Sequence, residues 1–219
     1  MLARIRISVP DRPGSLGAVA SAIGGAGGDI VKVDVLESEA GRALDDVFVT
    51  VRDPEQLARV NRLLGGVPGV TVIGSQHPAP PVTGHADLEL LSQVLARPER
   101  GPQTLVDGAP GALGADWGAL VEFGPAGAMT AVLAVSPTGP APDQLTLTAP
   151  LRLNSVQLTA PGSTEPYGAA ALVPVGPNLA LILVRVEGPP FHQSEMWRLG
   201  QIGEIAGTAL AGVAYAGPL

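Results

Sequence analysis

The residues best equipped for chemistry sit together at one corner: Asp11, Arg12, Pro13, Gly14, Ser15 and Leu16, between a strand-like run and a helix-like one. An acid, a base and a Pro-Gly pair are more than a plain strand-to-helix connection needs. Glycine at position 14 removes the Cβ that would hold a ligand away from the backbone. The N–H groups of Gly14, Ser15 and Leu16 would open the helix, and such a start is positively polarised and suits a carboxylate. Asp11 has the charge to accept hydrogen bonds from an ammonium group. A corner with these parts is built to hold a zwitterion. Two plainer readings stand beside it. Asp before Pro-Gly is common turn chemistry, so Asp11 caps its own helix in one of them; in the other, Arg12 is a solvated surface charge.

The elements that must position the corner follow from periodicity. Ala3, Ile5, Ile7 and Val9 alternate with Arg4, Arg6 and Ser8, a strand with one buried face. Pro13 suits the first turn of a helix, and Leu16, Val19, Ala20 and Ile23 repeat at helical spacing as its inward stripe. The glycines from Gly24 to Gly28 stop it. Val31, Val33 and Val35 alternate with Lys32 and Asp34 in a second strand, and a turn from Glu39 to Arg42 leads to a third carrying Val47, Val49 and Val51. Asp53-Pro54-Glu55-Gln56 opens a second helix with an N-cap, a proline at N1 and a capping-box glutamine. Leu57, Val60 and Leu64 form its stripe, Gly65-Gly66 end it, and Val70 and Val72 start a fourth strand. The order is βαββαβ, the split arrangement of ferredoxin-like folds.

Residues 4–76 resemble an ACT domain, a small regulatory module that usually binds amino acids. The resemblance is carried by Asp11-Arg12-Pro13-Gly14-Ser15-Leu16 at the corner and by Gly28-Asp29-Ile30 entering the second strand. It implies an amino-acid ligand held between this corner in one domain and the second strand of a paired domain. That arrangement would bring Asp29 and Ile30 to the ligand from a partner copy, so it also implies a homodimer. Asp29, after four glycines in five residues, reads equally as an ordinary turn residue.

Residues 77–85, which include His-Pro-Ala-Pro-Pro-Val-Thr-Gly, form a Pro-rich linker. Beyond it, residues 86–219 read as helix, antiparallel strands and a closing helix. Leu88, Leu91, Val94 and Leu95 share one helical face, and Gly101 to Ala115 suits a second helix that Pro110 must kink or end. Two hairpins surround Gly124-Pro125-Ala126-Gly127 and Gly176-Pro177-Asn178, with a further strand at Leu151 to Leu158. The last helix, Ser194 to Ala211, turns Leu199, Ile202, Ala206 and Leu210 inward. It also carries Gly200, Gly203 and Gly207, which suit close backbone approach, either to a helix of a dimer partner or to this domain's own sheet. Leu105-Val106-Asp107 to Trp117-Gly118-Ala119-Leu120, and Pro190-Phe191-His192-Gln193-Ser194-Glu195, resemble the opening and closing segments of a GAF domain. The expected fold is thus α+β: an N-terminal ferredoxin-like domain over residues 1–76 and a C-terminal GAF-like antiparallel sheet flanked by helices.

Composition excludes several functions. The net charge is −1 over residues 1–76 and −6 over 77–219, so neither half offers nucleic acid or an anionic membrane a basic surface. With no cysteine there is no disulfide, thiolate nucleophile or Cys-zinc site. Residues 1–10 do not form a signal-peptide core, and the uncharged stretches 123–142 and 166–184 are broken by prolines and read as hairpins. These features point to a cytoplasmic protein. His77, His85 and His192 share no metal-ligand spacing. Glu37, Glu39, Asp45 and Asp46 read as solvated charge around a hairpin, with a weak cation site as the lesser alternative, and Trp117 and Trp197 as core or interface. No nucleophile is set beside a base. The reading is a non-catalytic regulatory protein without cofactor, binding an amino acid at the corner, pairing as a homodimer and acting on a regulated protein partner. The alternative is an interaction subunit whose corner stays empty.

Overall fold

The computed structural model describes residues 1–77, 85–145, 151–159, 166–186 and 188–211. The chain divides into two compact units, Met1–Val82 with Glu187–Pro189, and Thr83–Val186 with Pro190–Leu219. It is a mixed α+β protein with two antiparallel sheets.

The first unit runs β1 (Leu2–Pro10), α1 (Ser15–Gly25), β2 (Asp29–Glu39), β3 (Arg42–Thr50), α2 (Pro54–Gly65) and β4 (Thr71–Gln76), with sheet order β2-β3-β1-β4. Its core is the odd-numbered face of β1 (Ala3, Ile5, Ile7, Val9) with Val47 and Val49 of β3, covered by Val19 and Ile23 of α1 and Leu57, Val60 and Leu64 of α2. Ala40 and Gly41 join β2 to β3 at φ 50° and 77°, the left-handed pair that a two-residue hairpin requires. Asp53 caps α2 by accepting the Gln56 N–H at 2.7 Å. Gln56 itself accepts the Arg52 N–H and donates from Nε2 to the Ala26 carbonyl at 3.0 Å, tying the end of α1 to the start of α2.

Two expected stripes are narrower than their periodicity. On α1 only Val19 and Ile23 are buried; Leu16 is 44% exposed and Ala20 also faces solvent. On β2 the register shifts between Ile30 and Lys32 and again between Val35 and Glu37. Each added residue reverses the side-chain alternation. The first shift therefore leaves Val31 exposed while Ile30 and Val33 pack on the core; Val35 stays in phase with Val33, opposite Asp45, yet is 61% exposed on this edge strand.

The second unit runs α3 (Ala86–Ala96), α4 (Gly101–Leu113), β5 (Trp117–Phe123), β6 (Met129–Val135), β7 (Asn154–Thr159), β8 (Pro166–Pro174), β9 (Leu179–Arg185) and α5 (Gln193–Leu210). The sheet order is β6-β5-β9-β8-β7. Leu90, Leu105, Val106, Leu199, Ile202 and Leu210 of the three helices pack on one face of this sheet. Val121, Phe123, Ile182 and Val184 form the other face, against which Leu145 and Leu151 pack. Pro110 does not end α4, which continues to Leu113 and stops at Gly114 in a left-handed conformation at φ 66°. A proline so near the C-terminus removes one hydrogen bond without dividing the helix.

The three glycines of α5 serve this unit's own interior. A Cβ on Gly207 would lie 2.2 Å from the Val175 carbonyl oxygen, and one on Gly203 would lie 2.5 Å from that of Pro174. One on Gly200 would meet the Leu153 side chain at 3.0 Å. Gly203 and Gly207 thus make their close backbone approach to the end of β8 within their own unit. No helix among the described residues is long and apolar enough to cross a membrane.

Candidate functional site

Helix α1 begins without a side-chain cap. Its N-cap is Gly14 at φ 93°, a left-handed conformation that favours glycine, and the first turn holds no acidic residue. Pro13 lies before the N-cap, where it shapes the entry of the chain. Among the described residues nothing lies within 4 Å of where a Gly14 Cβ would be, so the helix start opens onto free space. Asp11, Arg12, Pro13 and Gly14 are exposed and Ser15 is half-buried. The exposure of Leu16 puts an apolar side chain at the rim of the corner.

Asp11 does not cap its helix. Its carboxylate accepts a hydrogen bond from the Ser38 hydroxyl of β2 at 2.5 Å, while its backbone N–H donates to the Gly41 carbonyl at 2.8 Å. The corner is thereby fastened to the β2–β3 hairpin. The Ser15 N–H donates to the Arg12 carbonyl at 3.2 Å, so of the three amides expected to face a ligand this one is already engaged.

Asp29 and Ile30 do not join the corner within one chain. Asp29 starts β2, paired with Thr50, whereas Ser38, which holds Asp11, lies at the other end of the same strand beside Ala43. Nine residues of extended chain separate them, roughly 30 Å.

The acidic cluster departs most from expectation. Glu37 and Glu39 do lie toward the surface, but Asp45 and Asp46 are 1% and 3% exposed. Asp46 forms a forked pair with Arg6, whose Nε and Nη2 each donate at 2.8 Å, and Arg4 Nη1 lies 3.8 Å from its Oδ2. Asp45 points the opposite way. It shares the face of Ala43, Val47 and Val49, with Ile7 and Val35 as its cross-strand neighbours. Its Oδ1 is buried without a hydrogen-bond partner among the described residues. It is closed to solvent. Burial, followed by the negative charges of Asp11 and Asp46, raises its carboxyl above the usual carboxylate range.

Ser38 and Gly41 therefore belong to the corner and were not singled out from sequence, while Asp45 was read there only as solvated charge. For Asp45 a signal was there: in the alternation of β3 it occupies an apolar position, Ala43-x-Asp45-x-Val47-x-Val49.

Other candidates resolve as structure. His192 caps α5 through Nδ1, which accepts the Ser194 N–H at 3.3 Å. Trp117 packs partly on the second sheet face, whereas Trp197 is 70% exposed on α5 and belongs to no core. No group of three or more His, Asp or Glu residues suited to a metal occurs among the described residues. A groove of about 580 Å³ runs along α5, lined by Leu153, Val175, Gln201, Glu204 and Thr208.

Comparison with known proteins now bears on this corner. Residues 3–69 match the ACT domain family. The match covers β1 through α2 and so includes the whole Asp11–Leu16 corner, Ser38 and Asp45. A match to the ACT domain supports a regulatory, ligand-binding role for this unit. Among solved structures, the chain is similar to a GAF domain from Pseudomonas syringae pv. tomato, at 22% identity and a TM-score of 0.43, over 57% of this chain and 86% of that one. It is also similar to the ACT domain of GTP pyrophosphokinase of Chlorobium tepidum, at 20% identity and a TM-score of 0.31, over 39% and 93%. Likenesses at this level speak to neither ligand nor partner. No curated protein matches the chain.

Proposed function

We propose that this is a non-catalytic regulatory protein whose ACT-like domain, residues 1–76, binds an amino acid at the Asp11–Leu16 corner. The GAF-like domain, residues 86–219, supplies dimerisation or output. The observation that carries the reading is the uncapped start of α1: Gly14 opens onto free space while Asp11, the natural cap, is turned to Ser38. A carboxylate can approach the helix start, and an acidic side chain waits beside it for an ammonium group. In a homodimer, Asp29 and Ile30 of a second copy would close the site from the far end of β2. Ligand would then favour one arrangement of the pair by its differential affinity, and a cytoplasmic protein partner would read that change.

Thermal stability of the full chain against the twenty amino acids tests this. A selective rise in Tm is the expected result. Gly14→Val is a poor control, because φ 93° strains any β-branched residue and would lower stability together with binding. Leu16→Glu is the better one. It places an acid in the first turn of α1, which stabilises a helix by roughly 0.3–1 kcal/mol and repels a ligand carboxylate from the same amides. Binding should vanish while the unliganded Tm holds or rises. Full binding by this variant would show that no carboxylate sits at the helix start.

Exposed apolar residues support the alternative, an interaction subunit with an empty corner. Leu88 and Leu95 of α3 are 58% and 54% exposed, and Trp197 adds to them on α5. An unchanged Tm with every amino acid would favour that reading.

A further inference from the structure

We propose that Asp45 and Asp11 together form a cation subsite beneath the corner, one that takes a primary ammonium group. This rests on the corner reading above and extends it, since it says which end of a ligand enters and names a residue on β3 that holds it. Asp45 is a carboxylate on the core face of the sheet, with apolar Ile7 and Val35 on either side and one oxygen without a hydrogen-bond partner among the described residues. A buried acceptor left unmatched is destabilising unless something else satisfies it. Among the described residues no Lys or Arg is paired with it. The charges that act on it are those of Asp11 and Asp46, both of its own sign, and Asp46 already has its cation in Arg6.

Asp11 differs from Asp46 in this respect. It sits at the open corner, and Ser38 fixes its carboxylate toward the hairpin that carries Asp45. Two like charges held near one another, one of them shut from water, favour a bound cation. Two carboxylates without a third acid suit an ammonium group, whose several N–H donors can engage both, better than a metal ion that needs a larger oxygen shell. A zwitterion lying with its carboxylate at the α1 start and its ammonium toward Asp45 would use both halves of the corner.

The test follows the Asp45 side-chain carboxyl by carbon-13 NMR through a pH titration of the wild-type chain. Methylammonium chloride is compared with tetramethylammonium chloride at equal concentration; both carry the charge, but only the first has N–H donors. The expected result is a lower Asp45 midpoint in methylammonium, a difference that disappears in Asp11→Asn. Equal midpoints in the two salts would overturn the proposal, as would a difference that survives in Asp11→Asn. Any amino acid that raises Tm should bind Asp45→Asn roughly tenfold more weakly or worse. If such an amino acid binds without moving the Asp45 signal, the subsite fails and the corner reading stands. If no amino acid binds but methylammonium shifts Asp45, the subsite stands and the amino-acid reading fails.

Discussion

Replacing Gly207 by alanine should destabilise the protein, although helix propensity alone predicts the reverse. Alanine in a helix interior is favoured over glycine by about 1 kcal/mol. At Gly207 the new Cβ would fall 2.2 Å from the Val175 carbonyl oxygen and 2.8 Å from its carbonyl carbon, against 3.4 Å for ordinary contact. The helix and the end of β8 must separate by more than an ångström. The obstacle is backbone, so no side-chain rotation relieves it. Val175 is also held by its N–H bond to the Leu179 carbonyl at 2.9 Å, which resists the shift. Overpacking of this kind costs about 1–3 kcal/mol and outweighs the propensity gain by up to about 2 kcal/mol. Gly111 is the matched control: it lies in α4, is exposed, and has nothing among the described residues within 4 Å of its Cβ position. Gly111→Ala should stabilise by up to about 1 kcal/mol, a Tm rise of a few degrees. Thermal denaturation followed by circular dichroism measures both variants. A rise in Tm for Gly207→Ala equal to that for Gly111→Ala would refute the account of how α5 packs, and would return the glycine stripe to the list of dimer surfaces.

Asp45 should leave a signature in the pH dependence of stability. Its carboxyl is raised in the folded state, so the folded protein holds this proton more tightly than the unfolded chain does. Its contribution is therefore complete below the unfolded carboxylate value of about 3.9 and is lost as pH rises through the higher folded value. Asp45→Asn should flatten that part of the profile and raise stability at neutral pH by on the order of 1 kcal/mol; coincident Tm–pH curves for the two proteins would count against the buried, unpaired carboxylate. Arg185 is fully buried, donates to the Gly114 carbonyl at 2.7 Å and to Glu195 at 3.0 Å, and lies 3.9 Å from the Phe191 ring centre. Arg185→Met leaves Glu195 without this cation and should cost about 3 kcal/mol or more, read as a lower denaturant midpoint; a loss well under 1 kcal/mol would mean the pair is solvated.

The sequence by itself determined the element order of both units, because each element carries its own period and its own stops. Alternation in Ala3–Val9, the Asp53-Pro54 helix start and the glycines after α1 act within a few residues, and neighbours along the chain suffice to read them. The Asp11–Leu16 corner was visible for the same reason, as an unusual residue set at a strand-to-helix junction. Tertiary structure decided what crosses between strands. The register shift that exposes Val31 exists only in the pairing of β2 with β3. The choice of Ser38 over the helix start as the partner of Asp11 depends on a hairpin 27 residues away. Whether the glycines of α5 faced a partner or their own sheet required the position of the β8 carbonyls. Asp45 and Asp46 are adjacent acids of the same type; the alternation of β3 marks Asp45 as an apolar position but does not say what surrounds either one. The pleat sends one to Arg6 and the other into the apolar face, and only that difference in surroundings makes one an ion pair and leaves the other with an oxygen that has no hydrogen-bond partner among the described residues.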